Sequence, residues 1–256
     1  VMNINIRLST PEDASLPWLD HTRVTAILTC PRWGMVRYMN NKTFATSERA
    51  MALDAGQAMH ECFAYIRGWY LHKTNSDLAV AELKRLYGEK AIENDKGEQI
   101  ARAAHLAVFL DSQEVSKGAP ETLHTSGFYD DPNDKRRTLS NLETALLVYC
   151  NRYEPLGSFL TLPDGTTTIE NKIEFVVEFI DMGTSYRYTG RVDAIYGTDA
   201  GPIVVDNKTT SSTMGSGWPT QWHTSHQLTG YMLWASLALS RQVHQAAVIG
   251  LQIPLP

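Results

Sequence analysis

Acidic and basic side chains lie on either side of a turn-forming stretch at residues 197–202. If this stretch is the tip of a hairpin, Asp193 lies opposite Asp206 on the paired strand, where two like charges repel each other. Lys208 then shares the face of Asp206, whereas Asn207 points to the other face. Two carboxylates and an ammonium group on one face, with the Asn207 carbonyl nearby, are typical of a site for a hard divalent cation such as Mg²⁺ or Mn²⁺.

The same side chains also fit a surface hairpin with an ordinary salt bridge, so other elements must decide between the two interpretations. Gln227 and Tyr231 lie one turn apart on a predicted helix and present an amide and a hydroxyl from one face, with His223 one turn earlier. His60 lies on the apolar side of another predicted helix. Each feature taken alone is typical of ordinary core packing, since a histidine or tyrosine on a half-buried helix usually packs in the core.

Hydrophobic periodicity predicts a mostly helical first half followed by a sheet. Apolar residues at helical intervals predict helices over residues 23–38 (broken at Pro31 and capped by Asp20 or Thr22), 47–71, 78–87, 100–110 and 139–153. Stretches rich in β-branched and aromatic residues predict an antiparallel meander over 166–180, 186–196 and 202–210, followed by a helix over 219–240 and a last strand over 246–253. No linker demands a second domain, so we expect one α/β (α+β) domain over residues 1–256, helical at 20–155 and sheet-forming at 156–256.

Composition and charge exclude several classes of protein. The chain has 256 residues, of which 43% are hydrophobic and 20% charged, as in ordinary globular domains. A net charge of −5 argues against a protein that coats nucleic acid by bulk positive charge. No apolar run reaches the roughly 20 residues of a membrane span, and we expect no secretory signal. Three widely separated cysteines without a Cys-x-x-Cys pair favour a reducing compartment and no cysteine-based zinc site.

The order of four short motifs resembles the PD-(D/E)XK nuclease superfamily, and specifically its RecB-like branch. The motifs are Gly-x-x-x-His at Gly56 and His60, Gly-x-x-Asp at Gly190 and Asp193, Asp-x-Lys at Asp206 and Lys208, and Gln-x-x-x-Tyr at Gln227 and Tyr231. The stretch Cys30-Pro31-Arg32-Trp33 is similar to the Cys-Pro-aromatic element near the start of many such domains. The resemblance runs from about Thr22 to Ile253.

The resemblance implies a restriction-endonuclease-like core, with a mixed central sheet flanked by helices, and a metal-dependent DNA nuclease activity. An exonuclease in DNA recombination or repair is expected by analogy, in the cytoplasm of a bacterium or of a phage-infected cell. The partner is then single- or double-stranded DNA, with an annealing protein or a helicase as further candidates. The resemblance assigns Mg²⁺ or Mn²⁺ to His60, Asp193, Asp206 and the Asn207 carbonyl, orientation of the attacking water to Lys208, and positioning of the site or of the phosphate to Gln227 and Tyr231.

The chain departs from some relatives in its cysteines and acids. Cys30 matches the early ligand of the iron–sulfur clusters that some relatives hold, but no cysteine follows Cys150, so we expect no cluster and a buried structural thiol at Cys30. Asp206 stands where many members have glutamate. Glu170 and Glu174 on the first strand of the meander fit either an outer acid of the site or, more commonly, an exposed strand face.

Other functions remain as alternatives. A member of the same fold that binds DNA or has a structural role without turnover is the main one. A serine hydrolase built on Ser225 and His226 lacks a Gly-x-Ser-x-Gly motif, and an NTP-driven enzyme lacks a phosphate-binding Gly-x-x-x-x-Gly-Lys motif. DNA contacts would come from basic and aromatic side chains near the cleft, for which the candidates are Arg23, Arg32, Arg37, Lys42, Arg187, Arg191, Lys208, Trp33, Trp218 and Trp222.

Overall fold

A computed structural model of the chain describes residues 3–34, 37–38, 51–74, 115–128, 131, 133–210, 213–223 and 225–253. The strands in these ranges are β1 (Ile4–Leu8), β2 (Trp18–Leu19), β3 (Ser158–Phe159), β4 (Ile169–Phe179), β5 (Thr184–Thr198), β6 (Gly201–Thr210) and β7 (Gln245–Gln252). The α-helices are α1 (His21–Thr29), α2 (Pro31–Gly34), α3 (Met51–Thr74), α4 (Val115–Thr125), α5 (Leu139–Arg152) and α6 (His226–Ala238). Short 3₁₀ turns lie at Pro11–Ser15, Ile180–Met182 and Pro219–Trp222.

One mixed sheet organises the described part of the chain. Its main order is β1-β4-β5-β6-β7, and the short strands β2 and β3 both pair with β5. Strands β4, β5 and β6 form the predicted antiparallel meander, while β7 pairs with β6 in parallel. The parallel pair requires a crossover connection, which α6 supplies. The mixed sheet with flanking helices confirms the expected restriction-endonuclease-like α/β fold.

The β5–β6 hairpin has the predicted register. Thr198 pairs with Gly201 across a two-residue turn, and the ladder continues to the pair of Ala194 and Val205. Gly201 has a φ of 110°, a conformation that glycine adopts without steric cost. The next position along this register carries Asp193 on β5 and Asp206 on β6, as the sequence predicts.

Helices lie on both faces of the sheet and are held there by apolar contacts. On α3, Ala55, Met59, Cys62 and Ile66 recur every three or four residues and are buried against α4 and α5. A separate core lies between α6 and the strands, with Ile173, Val204, Trp234 and Ala235 at its centre. The consecutive residues Val204 and Val205 of β6 belong to different clusters, as expected of a strand buried on both faces.

The cap residues explain where the helices begin. Asp20 accepts a hydrogen bond from the Arg23 backbone at the start of α1, and Thr138 does the same for Asn141 in α5. Ser225 caps α6, so the predicted helix over 219–240 is divided into a 3₁₀ turn and α6. Cys30 ends α1 at the surface just before Pro31, and the prediction of a buried structural thiol there is wrong.

Several elements were not predicted, or lie outside the described ranges. The sequence did not predict β1, β2, β3 or α4. The predicted helices over 78–87 and 100–110 and the candidate Lys42 lie outside the described residues, as does the side chain of Trp33. The other predicted elements match α1 and α2, α3, α5, β4, β5, β6 and β7 within a few residues at their ends, where both are described. Among the described helices, none has the length and apolar character to cross a membrane.

Candidate active site

The predicted catalytic and metal-binding residues other than Asn207 converge on one cleft of about 600 Å³. It lies between α3, the start of α1, the three strands of the meander and α6. Its predicted lining residues are Gly56, His60, Gly190, Asp193, Asp206, Lys208, Gln227 and Tyr231. Glu170, Arg191, Asp20, His21 and Gln57 also contribute to its walls. Four motifs that are far apart in the sequence therefore meet at a single surface depression.

Three carboxylates form a row across the meander. The pairs on either side of Glu170 match Ile169 with Ala194 and Asn171 with Val192, so Glu170 on β4 lies opposite Asp193 on β5. Asp206 on β6 follows at the next strand. All three residues are buried, at 7%, 3% and 1% exposure in the order of the strands. The interpretation of Glu170 as part of an exposed strand face is therefore wrong.

The strands change faces at this row, which explains how the acids reach the cleft. In a regular strand Ile169 and Ile173 would share a face, yet Ile169 packs with α3 and Ile173 packs with α6. Val192 and Ala194 of β5 likewise belong to different apolar clusters. On β4, Glu170 lies between Ile169 and Ile173 and has a φ of 50°, in the left-handed region that a glutamate rarely adopts. The left-handed residue breaks the alternation of faces at the position of the acids.

Lys208 is paired with the last acid of the row. Its Nζ lies 2.8 Å from Asp206 Oδ2, and the side chain remains 24% exposed toward the cleft. Burial, reinforced by the charge of Asp193, raises the pKa of Asp206 to about 6, and Lys208 only partly opposes this shift. The pair is thus a buried carboxylate held next to a cation that still reaches solvent.

His60 enters the cleft from α3. Its Nδ1 lies 3.3 Å from Asp193 Oδ1. Burial opposes a charge on the imidazole, but the hydrogen bond and charge of Asp193, with Glu170 behind it, outweigh burial and raise the pKa of His60. Asp193 is also buried, and its contacts with His60, Arg67 and the Asn207 backbone lower its pKa in spite of that burial. Asp193 is therefore the acid of the row that stays ionised.

Arg67 is a site residue that the sequence analysis missed. It lies two helical turns after His60 on α3 and is only 1% exposed. Its Nη1 is 3.0 Å from Glu170 Oε1, and its Nη2 is 3.7 Å from Asp193 Oδ2. Burial and the neighbouring Asp193 nevertheless raise the pKa of Glu170 to about 7, against the effect of Arg67. The sequence feature that could have identified Arg67 is its position seven residues after His60 on an apolar helix face.

Asn207 points away from Lys208, as predicted. Its backbone N–H donates to Asp193 Oδ2 at 2.6 Å, and its side-chain Oδ1 lies 3.5 Å from the Tyr149 hydroxyl on α5. The residue is 1% exposed. The contact with Asp193 fixes that carboxylate from the backbone of the neighbouring strand.

Gln227 and Tyr231 meet at the far side of the cleft on α6. Gln227 Nε2 donates a hydrogen bond to Tyr231 Oη at 2.7 Å. A Cβ at Gly190 would lie 3.2 Å from Tyr231 Cε1, so the glycine allows the ring to approach β5 closely. His223 was expected one turn earlier on the same helix, but it is exposed in the segment before Ser225 and does not line the cleft.

The donor atoms at the base of the cleft fit a divalent metal ion. One ring nitrogen of His60 and one carboxylate oxygen each of Glu170 and Asp193 all lie within 4.8 Å of one another. A nitrogen and two oxygens of this kind suit the first-row divalent ions and Mg²⁺, and Asp206 adds a further carboxylate beside them. Glu170 thus joins the set that was predicted from sequence.

The basic candidates for DNA contact separate into two groups. Arg191 is exposed and lines the cleft, together with Lys208. Arg187 instead pairs with Glu174 at 3.6 Å, and Glu174 also binds Lys172 at 2.9 Å, which leaves Glu174 outside the acid row. The Arg23 guanidinium stacks 3.3 Å above the Trp18 ring. Of Arg23, Arg187 and Arg191, only Arg191 lines the cleft.

Comparison with known proteins assigns the family. Residues 19–254 match the family model of the PD-(D/E)XK nuclease superfamily, a range that includes every residue lining the cleft. No curated protein matches the chain. Members of the superfamily are nucleases that use divalent metal ions, which agrees with the donor atoms of the cleft and indicates DNA as the substrate. Because the match covers most of its length, the chain belongs to the PD-(D/E)XK nuclease superfamily.

Proposed function

We propose that the protein is a Mg²⁺- or Mn²⁺-dependent DNA nuclease of the RecB-like branch, and that it hydrolyses phosphodiester bonds with water as the nucleophile. The observation that carries this proposal is the buried row of Glu170, Asp193 and Asp206, which meets His60 and Lys208 in one open cleft. No serine or cysteine nucleophile is needed for this chemistry.

The charge of the row supports a bound cation. Three buried carboxylates face Arg67 and Lys208, and the pKa values of Asp206 and Glu170, at about 6 and about 7, are raised because burial and Asp193 disfavour further negative charge. His60, Glu170, Asp193 and Asp206, with the Asn207 carbonyl, would hold the ion. A bound divalent ion lowers the pKa of a water and polarises a phosphoryl oxygen.

Lys208 would act on the phosphate and on the water. Asp206 holds its ammonium group at 2.8 Å, and the part of the side chain that remains exposed faces the cleft. From there the ammonium group donates hydrogen bonds to a phosphate oxygen or to the attacking water and offsets the charge that develops in the transition state. This is an interaction that strengthens as the reaction proceeds.

Gln227 and Tyr231 would position the scissile phosphate. Tyr231 accepts the hydrogen bond from Gln227, so its own hydroxyl proton is available to donate to a phosphate oxygen. Burial raises the pKa of Tyr231, and the nearby Asp206 adds to this effect, so the phenol stays protonated. Tyr231 is therefore a donor rather than a base.

The finer parts of the proposal rest on the motif pattern of the RecB-like branch. They are exonuclease rather than endonuclease activity, a role in recombination or repair, and action in the cytoplasm of a bacterium or a phage-infected cell. One functional domain over residues 1–256 is proposed on another ground, because no linker in the sequence demands a second domain. An annealing protein or a helicase is the proposed partner class.

Cleavage of linear and closed circular DNA tests the proposal. We expect Mg²⁺ or Mn²⁺ to support degradation of end-labelled linear DNA, with closed circles resistant, and Lys208→Ala to abolish it. Lys172→Ala is the matched control, since Lys172 is a 70% exposed lysine on β4 outside the cleft. Degradation of closed circles at the same rate would contradict the exonuclease part. Tight DNA binding without cleavage under any metal would favour the non-catalytic alternative.

A further inference from the structure

A second cavity, of about 390 Å³, lies beside the acid cleft. It is open to solvent on one side and is bordered by the segment around the 3₁₀ turn at Pro219–Trp222, by α6 and by β7. Its lining includes Trp218, Trp222, Met232, His244 and Val248, and none of the described residues lines both the cavity and the cleft. Its volume is within the range of sites for small organic groups, about 300–1,000 Å³.

Two contacts connect this cavity to the proposed catalytic residues. The Trp222 ring centroid is 5.8 Å from Lys208 Nζ, and the same indole lines the cavity. Val248 of the cavity wall pairs with Asp206 in the parallel ladder of β6 and β7. Neighbouring strands are about 4.8 Å apart, so the cavity begins one strand from the acid row.

The cavity offers flat aromatic surface together with hydrogen-bonding groups. Trp218 and Trp222 pack edge to face, with centroids 5.6 Å apart and planes at 66°. The Trp222 Nε1 donor is buried and has no hydrogen-bond partner in the described part of the chain. Ser225, Thr229 and His223 add polar side chains to the wall. A ligand that fits has a flat face and acceptor atoms.

We propose that this cavity binds one unpaired nucleobase of the DNA strand whose phosphate contacts Lys208. The inference rests on the proposed nuclease function and specifies its substrate as a strand with an unstacked base. A nucleic acid places a phosphate and a flat, acceptor-rich base on neighbouring groups, and the cation and the indole at 5.8 Å match that alternation. A base inside a duplex cannot reach such a cavity, so the nucleotide must be single-stranded, frayed or extruded.

Abasic substitution along an oligonucleotide tests this cavity directly. We expect wild-type cleavage to slow about tenfold when the abasic nucleotide adjoins the scissile phosphate, and to be unchanged when it lies far from it. Trp222→Ala should slow cleavage of intact DNA by a similar factor and lose its sensitivity to the abasic nucleotide, whereas Trp222→Phe keeps the sensitivity. A wild-type enzyme indifferent to abasic nucleotides at every position overturns the proposal.

Thr229→Trp provides a variant that does not remove core contacts. Thr229 is exposed on α6 and lines the cavity, so a larger side chain there fills the cavity while Trp222 stays in place. This variant should show the same loss as Trp222→Ala. If it retains the abasic sensitivity of the wild type, the base does not occupy this cavity.

Binding without cleavage separates this proposal from the nuclease function. In the absence of divalent ions, a short single-stranded oligonucleotide should quench tryptophan fluorescence, whereas an all-abasic strand of equal length should not. Undiminished quenching in Trp222→Ala overturns the cavity proposal. Cleavage without base-dependent quenching supports the nuclease function and contradicts base binding in the cavity. Base-dependent quenching without cleavage supports base binding in the cavity and contradicts the nuclease function.

Discussion

Two arginines in this protein each lie between two carboxylates, but their surroundings differ. Arg7 on β1 binds both oxygens of Asp13 at 2.7 and 2.8 Å and Glu178 at 2.8 Å, at the surface. Arg67 binds Glu170 at 3.0 Å, reaches Asp193 only at 3.7 Å, and is buried. The surface cluster satisfies its charges by hydrogen bonds, whereas the buried cluster leaves them partly unpaired.

The pKa shifts of Asp13 in the surface cluster and of Glu170 in the buried cluster have opposite signs. The Arg7 guanidinium and the Thr10 backbone hold the pKa of Asp13 well below its usual range. At the site, burial and Asp193 raise the pKa of Glu170 to about 7 although Arg67 is close. An arginine between two acids therefore does not by itself neutralise them. In the buried cluster a further cation is needed, and the cleft provides access for one.

The largest difference between the clusters should appear in activity. Asp193→Asn keeps the size of the side chain but removes the charge that holds His60 and Arg67, so we expect cleavage of linear DNA to fall by about 10³-fold or more. Asp13→Asn changes the equivalent acid of the surface cluster and should leave the rate unchanged within about twofold. Initial rates at saturating metal measure both. Equal effects of the two variants would contradict the assignment.

Replacement of the buried Arg67 should have the largest effect on stability. Arg67→Met leaves Glu170 and Asp193 without their buried cation, which costs about 3–5 kcal/mol in the free energy of unfolding. Urea denaturation followed by circular dichroism at pH 7 measures it. Arg67→Met combined with Glu170→Gln should recover part of the loss, because the uncompensated charge is then removed. No recovery in the double variant would mean that packing, not charge, accounts for the cost.

The two clusters should also respond differently to pH. The pKa values of Asp206 and Glu170 are raised in the folded state to about 6 and about 7, so the folded protein holds protons that the unfolded chain has lost. Without metal, stability should therefore fall as the pH rises from about 5 to 8, and the raised pKa of His60 acts in the same direction. The lowered pKa of Asp13 contributes stability that is lost only in more acidic solution.

Melting curves check this pH dependence. We expect the metal-free melting temperature to drop by on the order of 5 °C between pH 5 and pH 8, and Mg²⁺ or Mn²⁺ to restore it at pH 8. Asp206→Asn should flatten the pH dependence and reduce the stabilisation by metal. A metal-free protein that becomes more stable toward pH 8 would contradict the raised pKa values.

The smallest effect should come from the surface arginine. Arg7 is 39% exposed, and Asp13, although only 8% exposed, keeps its hydrogen bonds from Thr10 when Arg7 is removed. The effect of Arg7→Met on the urea midpoint should therefore be below that of Arg67→Met and should shrink further at about 1 M salt. The same denaturation experiment at two salt concentrations measures it. An effect of Arg7→Met as large as that of Arg67→Met would remove the distinction between the clusters.

The sequence predicted the part of the site that depends on local rules. The turn at residues 197–202 sets the register of Asp193 and Asp206, and the two-residue period places Lys208 beside Asp206. The helical period likewise brings Gln227 to Tyr231. These relations need only the geometry of one hairpin and one helix turn.

The remaining features depend on packing between distant segments. Glu170 reaches the cleft through a left-handed residue that breaks the strand period, and no turn motif marks it. Arg67 lies on α3, where periodicity does not reveal that this face is covered by β4 and β5. The five-residue strand β1 pairs with β4 about 170 residues later, so its partner could not be inferred locally.

The left-handed backbone at Glu170 has a consequence for attempts to improve the protein. A non-glycine residue held at a φ of 50° costs about 1–3 kcal/mol, and glycine or asparagine adopts that conformation more readily. Directed evolution for heat resistance alone would therefore favour glycine or asparagine at position 170. The selected variants would gain stability but lose an acid of the row. A thermostability screen therefore needs a cleavage assay in the same round.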